Sequence, residues 1–233
     1  MKISRCPGGE VPRSYGKPGG PVQTRRFALL VLGALMVRPA AAAEKPIRIV
    51  VLGDSISAGF GLPAGEALPA KLEKALKAKG LNVAVENAGV SGDTPAGGLA
   101  RLDWSVAEGT DAVIVELGAN DALRGTDPKQ TRAALDAIIR KLKERKIAVL
   151  LTGMLAPRNY GPDYVAAFDS IYPELAAKNR VPLYPFFLEG VAAEARLNQP
   201  DGLHPTADGV DVIVKNMLPA VEAFLGTVFG QRS

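Results

Sequence analysis

The sequence predicts an α/β domain in which helices cover both faces of a parallel β-sheet. Three observations lead to this prediction. Short apolar runs alternate with longer segments of helical periodicity, an alternation typical of parallel sheets. Several of these runs are continuously apolar, as strands buried on both faces are. Short loops rich in Gly, Asp and Asn follow three of the runs, and ligands of such sheets bind beyond the carboxyl ends of the strands.

The predicted strands are short apolar runs. The first of them ends at Gly53, and the third extends from Asp111 to Leu117 and is continuously apolar from Ala112 to Val115. Loops containing Gly, Asp or Asn follow the first three strands, which favours one shared site over three independent turns. The five predicted strands comprise residues 47–52, 82–86, 111–117, 147–152 and 181–184.

The predicted helices lie between and after these strands. Residues 128–146 carry the strongest signal, because a proline opens the segment and apolar side chains recur at helical spacing from Ala134 to Leu142. The other predicted helices comprise residues 68–79, 96–106, 164–179 and 207–225.

Residues 1–43 are predicted to be an N-terminal extension and signal peptide, and residues 44–233 a single domain. Arg25 and Arg26 precede the apolar run 27–37, and small residues follow at 40–43, which is the order of a secretory signal. The run is too short to span a bilayer. Sec and twin-arginine export are both compatible with it, and an uncleaved anchor is the alternative. The expected location is periplasmic or secreted.

The net charge of +4 belongs to this leader. Seven of the 28 basic residues precede Glu44 together with one acid, so residues 44–233 carry a net charge of −2. The charge therefore gives no reason to expect a nucleic-acid partner. The only cysteine, Cys6, also lies in the leader. The domain consequently has no thiol for a disulfide, a nucleophile or a metal site.

The only histidine, His204, follows Asp201 by three residues. One tight turn can bring that carboxylate to the imidazole Nδ1, where it would fix the tautomer and stabilise the imidazolium. The alternative is a helix-entry turn capped by Asp201.

Ser55 follows the first predicted strand in the run Gly53-Asp54-Ser55. At a helix N-terminus its N–H would point toward the site, where the helix dipole favours negative charge. The alternative is a simple capping serine. The sequence contains no Gly-x-Ser-x-Gly elbow, which argues against an ordinary α/β-hydrolase.

Gly92 and Asn120 are the candidates for stabilising an oxyanion. Gly92 can offer an unobstructed backbone N–H, and Asn120 a side-chain N–H, as such a site requires. Turn chemistry is the alternative for both residues.

Four blocks of the sequence, in their order along the chain, resemble those of the SGNH, or GDSL, hydrolase superfamily. They are Gly53-Asp54-Ser55, Gly92, Gly118-x-Asn120-Asp121 and Asp201-x-x-His204. The resemblance extends over nearly all of residues 47–225. Within the superfamily, four longer stretches are similar to the bacterial periplasmic thioesterase/arylesterase/lysophospholipase subfamily. They comprise residues 87–94, 115–125, 159–161 and 185–187.

The resemblance implies a flavodoxin-like, three-layer α/β/α sandwich with a parallel sheet of about five strands. It implies that Ser55 attacks an acyl carbonyl, that His204 transfers the proton and that Asp201 orients His204. The oxyanion would be held by the N–H groups of Ser55 and Gly92 and by Asn120 Nδ2. No cofactor and no metal are expected.

The expected function is that of an exported serine hydrolase that cleaves carboxylic esters, and acyl thioesters, through an acyl-enzyme. Short-chain acyl or aryl esters and lysophospholipids are the expected substrates, with no stable protein partner. Two alternatives remain open: a carbohydrate O-acetylesterase on the same fold, and a non-catalytic binding protein. The candidate substrate-binding residues are Leu123, Met154, Leu155, Tyr160 and Phe186.

Overall fold

The sheet consists of five parallel strands in the order β2-β1-β3-β4-β5. The computed structural model describes Gly20 and residues 45–232, so the predicted leader, residues 1–43, lies outside the described residues apart from Gly20. The prediction of a parallel five-stranded sheet is confirmed. The strands are β1 (Ile47–Gly53), β2 (Val83–Gly89), β3 (Ala112–Glu116), β4 (Ala148–Thr152) and β5 (Leu183–Tyr184).

Helices form a layer on each face of this sheet. One layer contains α2 and α9, which pack on each other, and the other contains α6, packed against α3 and α8. The result is the predicted three-layer α/β/α sandwich. In residues 45–232 the helices are α1 (Ser55–Ala58), α2 (Leu68–Ala78), α3 (Pro95–Ala100), α4 (Leu102–Ser105), α5 (Ala119–Arg124), α6 (Pro128–Glu144), α7 (Pro162–Asp169), α8 (Ile171–Asn179) and α9 (Ala207–Arg232).

The apolar pattern of the sequence explains why these elements form. Every residue of β3 is buried, including its last, Glu116. In α6, Asp127 caps the N-terminus by accepting a hydrogen bond from Lys129 N at 2.9 Å, and Pro128 occupies the first turn, where its missing N–H costs nothing. Leu135, Ile138, Ile139 and Leu142 then bury one face of the helix.

Two predicted helices are interrupted in the structure. The segment 96–106 divides into α3 and α4 at Arg101, whose backbone has φ −101° and ψ 5°. Its side chain is buried rather than solvated. The segment 164–179 divides into α7 and α8 at Ser170, whose hydroxyl donates to Ala167 O and competes with the helical ladder. The helix N-terminus expected at Ser55 is that of α1. The extents of α1 and α5 are not predicted, because four and six residues are too few for a periodic pattern.

Within the described part of the chain, α9 is the one helix long and apolar enough to cross a membrane. It packs against α2 and against β4. Its buried side chains recur at helical spacing, as expected of a helix that covers a sheet. This face comprises Val210, Ile213, Val214, Met217, Val221, Phe224, Leu225 and Val228.

The register of the sheet places three residues side by side at its carboxyl edge. Gly53 of β1 pairs with Gly89 of β2 on one side and with Glu116 of β3 on the other. The loops that carry Ser55, Gly92 and Asn120 leave the sheet next to these positions. The fold therefore gathers the predicted blocks at one edge, as strand order requires in a parallel sheet.

Candidate active site

Ser55 stands at the first position of α1, directly beyond the end of β1. Asp54 caps this helix, because its Oδ1 accepts a hydrogen bond from Ile56 N at 3.0 Å. The turn also requires glycine at position 53: a Cβ there would lie 2.2 Å from Ser57 Oγ and 2.5 Å from Glu116 Oε2. Ser55 is 7% exposed, so its hydroxyl meets solvent only through the site.

A chain of hydrogen bonds links Ser55, His204 and Asp201. Ser55 Oγ lies 2.8 Å from His204 Nε2, and His204 Nδ1 lies 2.7 Å from Asp201 Oδ2. The two contacts use opposite nitrogens of the ring, as a base that receives a proton from the serine requires. The structure thus brings together the three residues predicted from the Gly-Asp-Ser and Asp-x-x-His blocks.

A tight turn holds Asp201 beneath the imidazole. Asp201 Oδ1 accepts hydrogen bonds from the N–H groups of Leu203, at 2.9 Å, and His204, at 3.0 Å. These backbone bonds, followed by the His204 side-chain bond, lower the pKa of Asp201 to about 2. The carboxylate is therefore charged throughout the neutral range.

Two residues outside the predicted set support the His204 turn. The ring of Phe60 packs against the imidazole with centroids 4.4 Å apart. Gln199 N donates to His204 O at 2.7 Å, and Gln199 Nε2 donates to Phe60 O at 2.7 Å. Gln199 therefore ties the histidine turn to the loop that follows α1. Neither residue belongs to the blocks recognised in the sequence, and a contact over 139 residues leaves no local pattern.

Gly92 lies in the loop after β2, and Asn120 lies in the first turn of α5, shortly after β3. Gly92 has φ +80°, a conformation that side chains rarely adopt, and its carbonyl accepts a bond from Arg124 Nη2. Asn120 Nδ2 donates to Asp93 O at 2.9 Å and to Asp54 Oδ2 at 3.2 Å. Asn120 thus reaches the residue before Ser55 and the residue after Gly92. The three predicted oxyanion blocks are joined through this amide.

Two buried carboxyl groups lie beneath the Ser55 turn. Glu116 Oε2 accepts from Ser57 Oγ at 2.6 Å and from Asp54 N at 3.3 Å, while Oε1 is buried without a partner among the described residues. Burial, reinforced by the Asp54 carboxylate, raises the pKa of Glu116 well above its usual range. Burial also raises the pKa of Asp54 to about 6. Glu116 therefore holds its proton to a higher pH than a solvated glutamate does.

A cavity of about 600 Å³ opens beside Ser55 and His204. Four of the five predicted substrate-binding residues line it: Leu123, Met154, Leu155 and Phe186. Tyr160 is not among the lining residues; its hydroxyl donates to Leu123 O at 2.7 Å, so it supports the wall from behind. Sequence reasoning missed further apolar lining residues, which have no motif of their own. They are Ile56, Ala119, Ala122, Leu188, Ala192, Ala193 and Leu203.

The residues around this cavity contain no evident place for a metal. In the described chain, no group of three or more His, Cys, Asp or Glu side chains is arranged to hold one. The acids nearest to Ser55 are occupied by the protein itself, Asp54 by Ile56 and Asn120, and Glu116 by Ser57. The cavity is lined by the hydroxyl-bearing Ser55, the imidazole of His204 and the amide-bearing Asn120.

Comparison with known proteins agrees with this geometry. The model of the GDSL-like lipase/acylhydrolase family matches residues 51–212. The chain is 41% identical to esterase TesA of Pseudomonas aeruginosa over 202 residues, which cover 85% of this chain and 99% of TesA. It is 41% identical to thioesterase 1/protease 1/lysophospholipase L1 of Escherichia coli K12, covering 84% of this chain and 92% of that protein.

A solved structure with a similar fold is that of AlinE4, an SGNH-hydrolase family esterase. It is 47% identical, with a TM-score of 0.66, and the match covers 78% of this chain and 98% of AlinE4. The family predicted from the sequence blocks is confirmed, and so is the fold that the blocks implied. The chain belongs to the GDSL-like lipase/acylhydrolase family and is a hydrolase of the esterase type.

Proposed function

We propose that this protein is an exported serine esterase that cleaves carboxylic esters and acyl thioesters through an acyl-enzyme on Ser55. The observation that carries the proposal is the hydrogen-bond chain from Ser55 Oγ through His204 to Asp201, at the mouth of an apolar cavity. A serine hydroxyl is a weak nucleophile on its own, and an adjacent oriented base is what activates it. His204 supplies that base, and Asp201 supplies the carboxylate that orients it.

The proposed reaction has two halves. Ser55 Oγ attacks the acyl carbonyl while His204 Nε2 takes the hydroxyl proton. The tetrahedral intermediate then breaks its bond to the leaving alcohol or thiol, which receives that proton from His204. Water attacks the resulting acyl-serine, with His204 again accepting a proton. The second intermediate releases the carboxylic acid and returns the proton to Ser55.

The N–H groups of Ser55 and Gly92 and the side chain of Asn120 are proposed to bind the oxyanion. Within residues 45–232, neither backbone N–H donates a hydrogen bond to another protein group, so both are available to an oxyanion. Asn120 Nδ2 has a second use, because it donates to Asp93 O and to Asp54 Oδ2. The longer of these bonds, to Asp54, is the one that an oxyanion would share.

The cavity favours an acyl chain over a sugar in the substrate. Its wall beside Ser55 is formed by Leu123, Met154, Leu155 and Phe186, and apolar surfaces of this kind bind methylene groups by removing them from water. A thioester or lysophospholipid presents the same acyl carbonyl to Ser55, and the relatives named as thioesterase, lysophospholipase and esterase support this range. The predicted signal segment supports a periplasmic or secreted location.

The test of this proposal is the Ser55→Ala variant, with Ser170→Ala as the control, because Ser170 is half-buried and does not line the cavity. We expect Ser55→Ala to lower kcat for p-nitrophenyl butyrate by a factor of about 10⁴ or more, and to abolish stoichiometric labelling by a fluorophosphonate. Ser170→Ala should retain both. Activity and labelling preserved in Ser55→Ala, in protein that unfolds like wild type, would contradict the assignment. For the wild-type enzyme, kcat/KM values for acyl-CoA, lysophosphatidylcholine and p-nitrophenyl esters would rank the substrate classes.

A further inference from the structure

The three proposed oxyanion donors follow three different strands, so their mutual positions need a common support. Ser55 follows β1, Gly92 follows β2 and Asn120 follows β3. Donors stabilise an oxyanion only when they are held at hydrogen-bonding distance from one point, before the reaction begins. A buried side chain that bonds to more than one of these loops is therefore of interest.

Arg101 is such a side chain. It is 7% exposed and lies where α3 breaks from α4. Its guanidinium donates through Nη2 to Gly53 O at 2.9 Å and through Nη1 to Ala88 O at 2.8 Å. The same group donates through Nε to Asp93 Oδ2 at 2.7 Å. One planar group therefore contacts the end of β1, the end of β2 and the loop after β2.

Two of these contacts, those with Gly53 and Asp93, lead to the oxyanion donors. Gly53 O belongs to the peptide unit between Gly53 and Asp54, whose N–H donates to Glu116 Oε2. That peptide is thus held at both ends, immediately before Ser55. Asp93 directly follows Gly92, and its backbone carbonyl accepts the bond from Asn120 Nδ2 at 2.9 Å. Arg101 is consequently hydrogen-bonded to Gly53, which lies two residues before Ser55, and to Asp93, which follows Gly92 and accepts a bond from Asn120.

The chemistry of the side chain matches this arrangement. Arginine presents five N–H donors in a rigid plane, whereas lysine offers a single flexible ammonium. Only arginine can donate to two carbonyls and a carboxylate in fixed directions at once. A buried ion pair such as Arg101 with Asp93, whose side chains are 8% and 12% exposed, adds little net stability compared with apolar packing. Geometric definition is the stronger reason for its presence.

We propose that Arg101 is a positioning residue of the oxyanion hole, which it aligns through Gly53 and Asp93 without touching substrate. The inference rests on the proposed function. It predicts that loss of the guanidinium reduces the rate of acyl transfer more than the binding of substrate, because the donors act mainly on the transition state.

The experiment compares Arg101→Met with a matched control, Arg145→Met. Arg145 is also partly buried and donates to backbone carbonyls, those of Val106 and Ala107, at the opposite edge of the sheet. For p-nitrophenyl butyrate we expect Arg101→Met to lower kcat by about 100-fold, close to the loss of one oxyanion donor, with KM changed by less than about threefold. Arg145→Met should lower thermal stability alone, with kcat per labelled active site unchanged.

Two further measurements separate alignment from general damage. Arg101→Lys keeps the charge but cannot bridge three acceptors, so its kcat should also fall, by about tenfold or more. Arg101→Ala should regain at least about tenfold in kcat from ~50 mM guanidinium, far below denaturing concentrations, and nothing from sodium chloride of equal ionic strength. If Arg101→Met and Arg101→Ala do not fold, the lysine variant decides.

The outcomes distinguish this inference from the proposed function. Wild type without esterase activity, or an active Ser55→Ala, removes the proposed function itself. An active wild type and an inactive Ser55→Ala, together with wild-type kcat in Arg101→Lys, overturn only the role of Arg101. The role of Arg101 is also overturned if Arg101→Met changes KM rather than kcat, or if its kcat falls no more than that of Arg145→Met.

Discussion

The two halves of the site are held in different ways. The Ser55 turn is buried, and its partners come from far along the chain: Glu116 is 62 residues from Asp54, and Arg101 is 48 residues from Gly53. The Asp201–His204 turn lies at the surface, where the Asp201 side chain is 37% exposed. All bonds from Asp201 reach residues no more than three positions away.

This difference separates chemistry from stability. A change in the exposed turn removes a proton carrier or its orienting carboxylate but leaves the core intact, so activity should fall without unfolding. A change beneath Ser55 alters buried polar groups whose desolvation is already costly, so stability and its pH dependence should change as well. Variants in each half can therefore test whether activity and stability are lost separately.

The largest effect is expected from His204→Ala. Without the imidazole, Ser55 Oγ has no base within hydrogen-bonding distance, and kcat for p-nitrophenyl butyrate should fall by a factor of about 10⁴ or more. The free energy of unfolding, measured in urea, should change by less than about 1 kcal/mol, because the side chain is near the surface. If His204→Ala loses activity only in proportion to its folded fraction, the exposed turn contributes to stability as the buried half does, and the proposed difference between the halves is wrong.

A smaller loss is expected from Asp201→Asn. Asparagine keeps an oxygen for the N–H groups of Leu203 and His204, so the turn should persist, but it cannot stabilise the imidazolium. The corresponding change at a buried carboxylate costs a factor of about 10⁴ in kcat. Because Asp201 is exposed, solvent screens its charge, and we expect a factor of about 10² to 10³.

The control for this variant is Asp208→Asn, an exposed aspartate in the first turn of α9. It lies four residues beyond His204 and should leave kcat unchanged. If both variants lose equal activity, or if Asp201→Asn loses less than about tenfold, the exposed carboxylate does not orient His204 in the way proposed.

The local half of the site is also the half that sequence reasoning could describe from the residues themselves. Asp201 and His204 are three residues apart, so a single turn is enough to predict their contact. The order of strands and helices was accessible for a similar reason, because continuous apolar runs and helical periodicity are local patterns. Ser55 was identified by its place after β1 and by its block's resemblance to a known family.

The buried half could not be predicted in the same way. Glu116 ends an apolar strand, which is a detectable anomaly, but its contacts with Asp54 and Ser57 depend on the sheet register. Arg101 lies within a segment that looks like one continuous helix, and only the fold reveals that the helix breaks there and that the side chain turns inward. Long-range polar contacts of this kind leave no periodic signal.

The subtlest prediction concerns Glu116→Gln, which tests whether the Ser55 turn is supported by a buried carboxyl. Glutamine retains an acceptor for Ser57 Oγ and Asp54 N, but its amide N–H group takes the place of Oε1, which has no partner among the described residues. In mild acid the variant should therefore be less stable than wild type, by about 1–3 kcal/mol in free energy of unfolding. Its kcat should fall less than that of Asp201→Asn, because Glu116 does not contact the substrate cavity.

The difference in stability should then depend on pH, with a sign fixed by linkage. Because burial raises the pKa of Glu116 in the folded state, the native protein binds more protons than the unfolded chain once the pH exceeds about 4.3, the ordinary pKa of glutamate. Wild-type stability therefore carries a contribution that falls as pH rises, at most about 1.4 kcal/mol per pH unit. The variant lacks this contribution, so its deficit should shrink between pH 5 and pH 8. Urea unfolding of both proteins at several pH values measures this trend. If the difference in free energy of unfolding stays constant from pH 5 to pH 8, burial does not raise the pKa of Glu116.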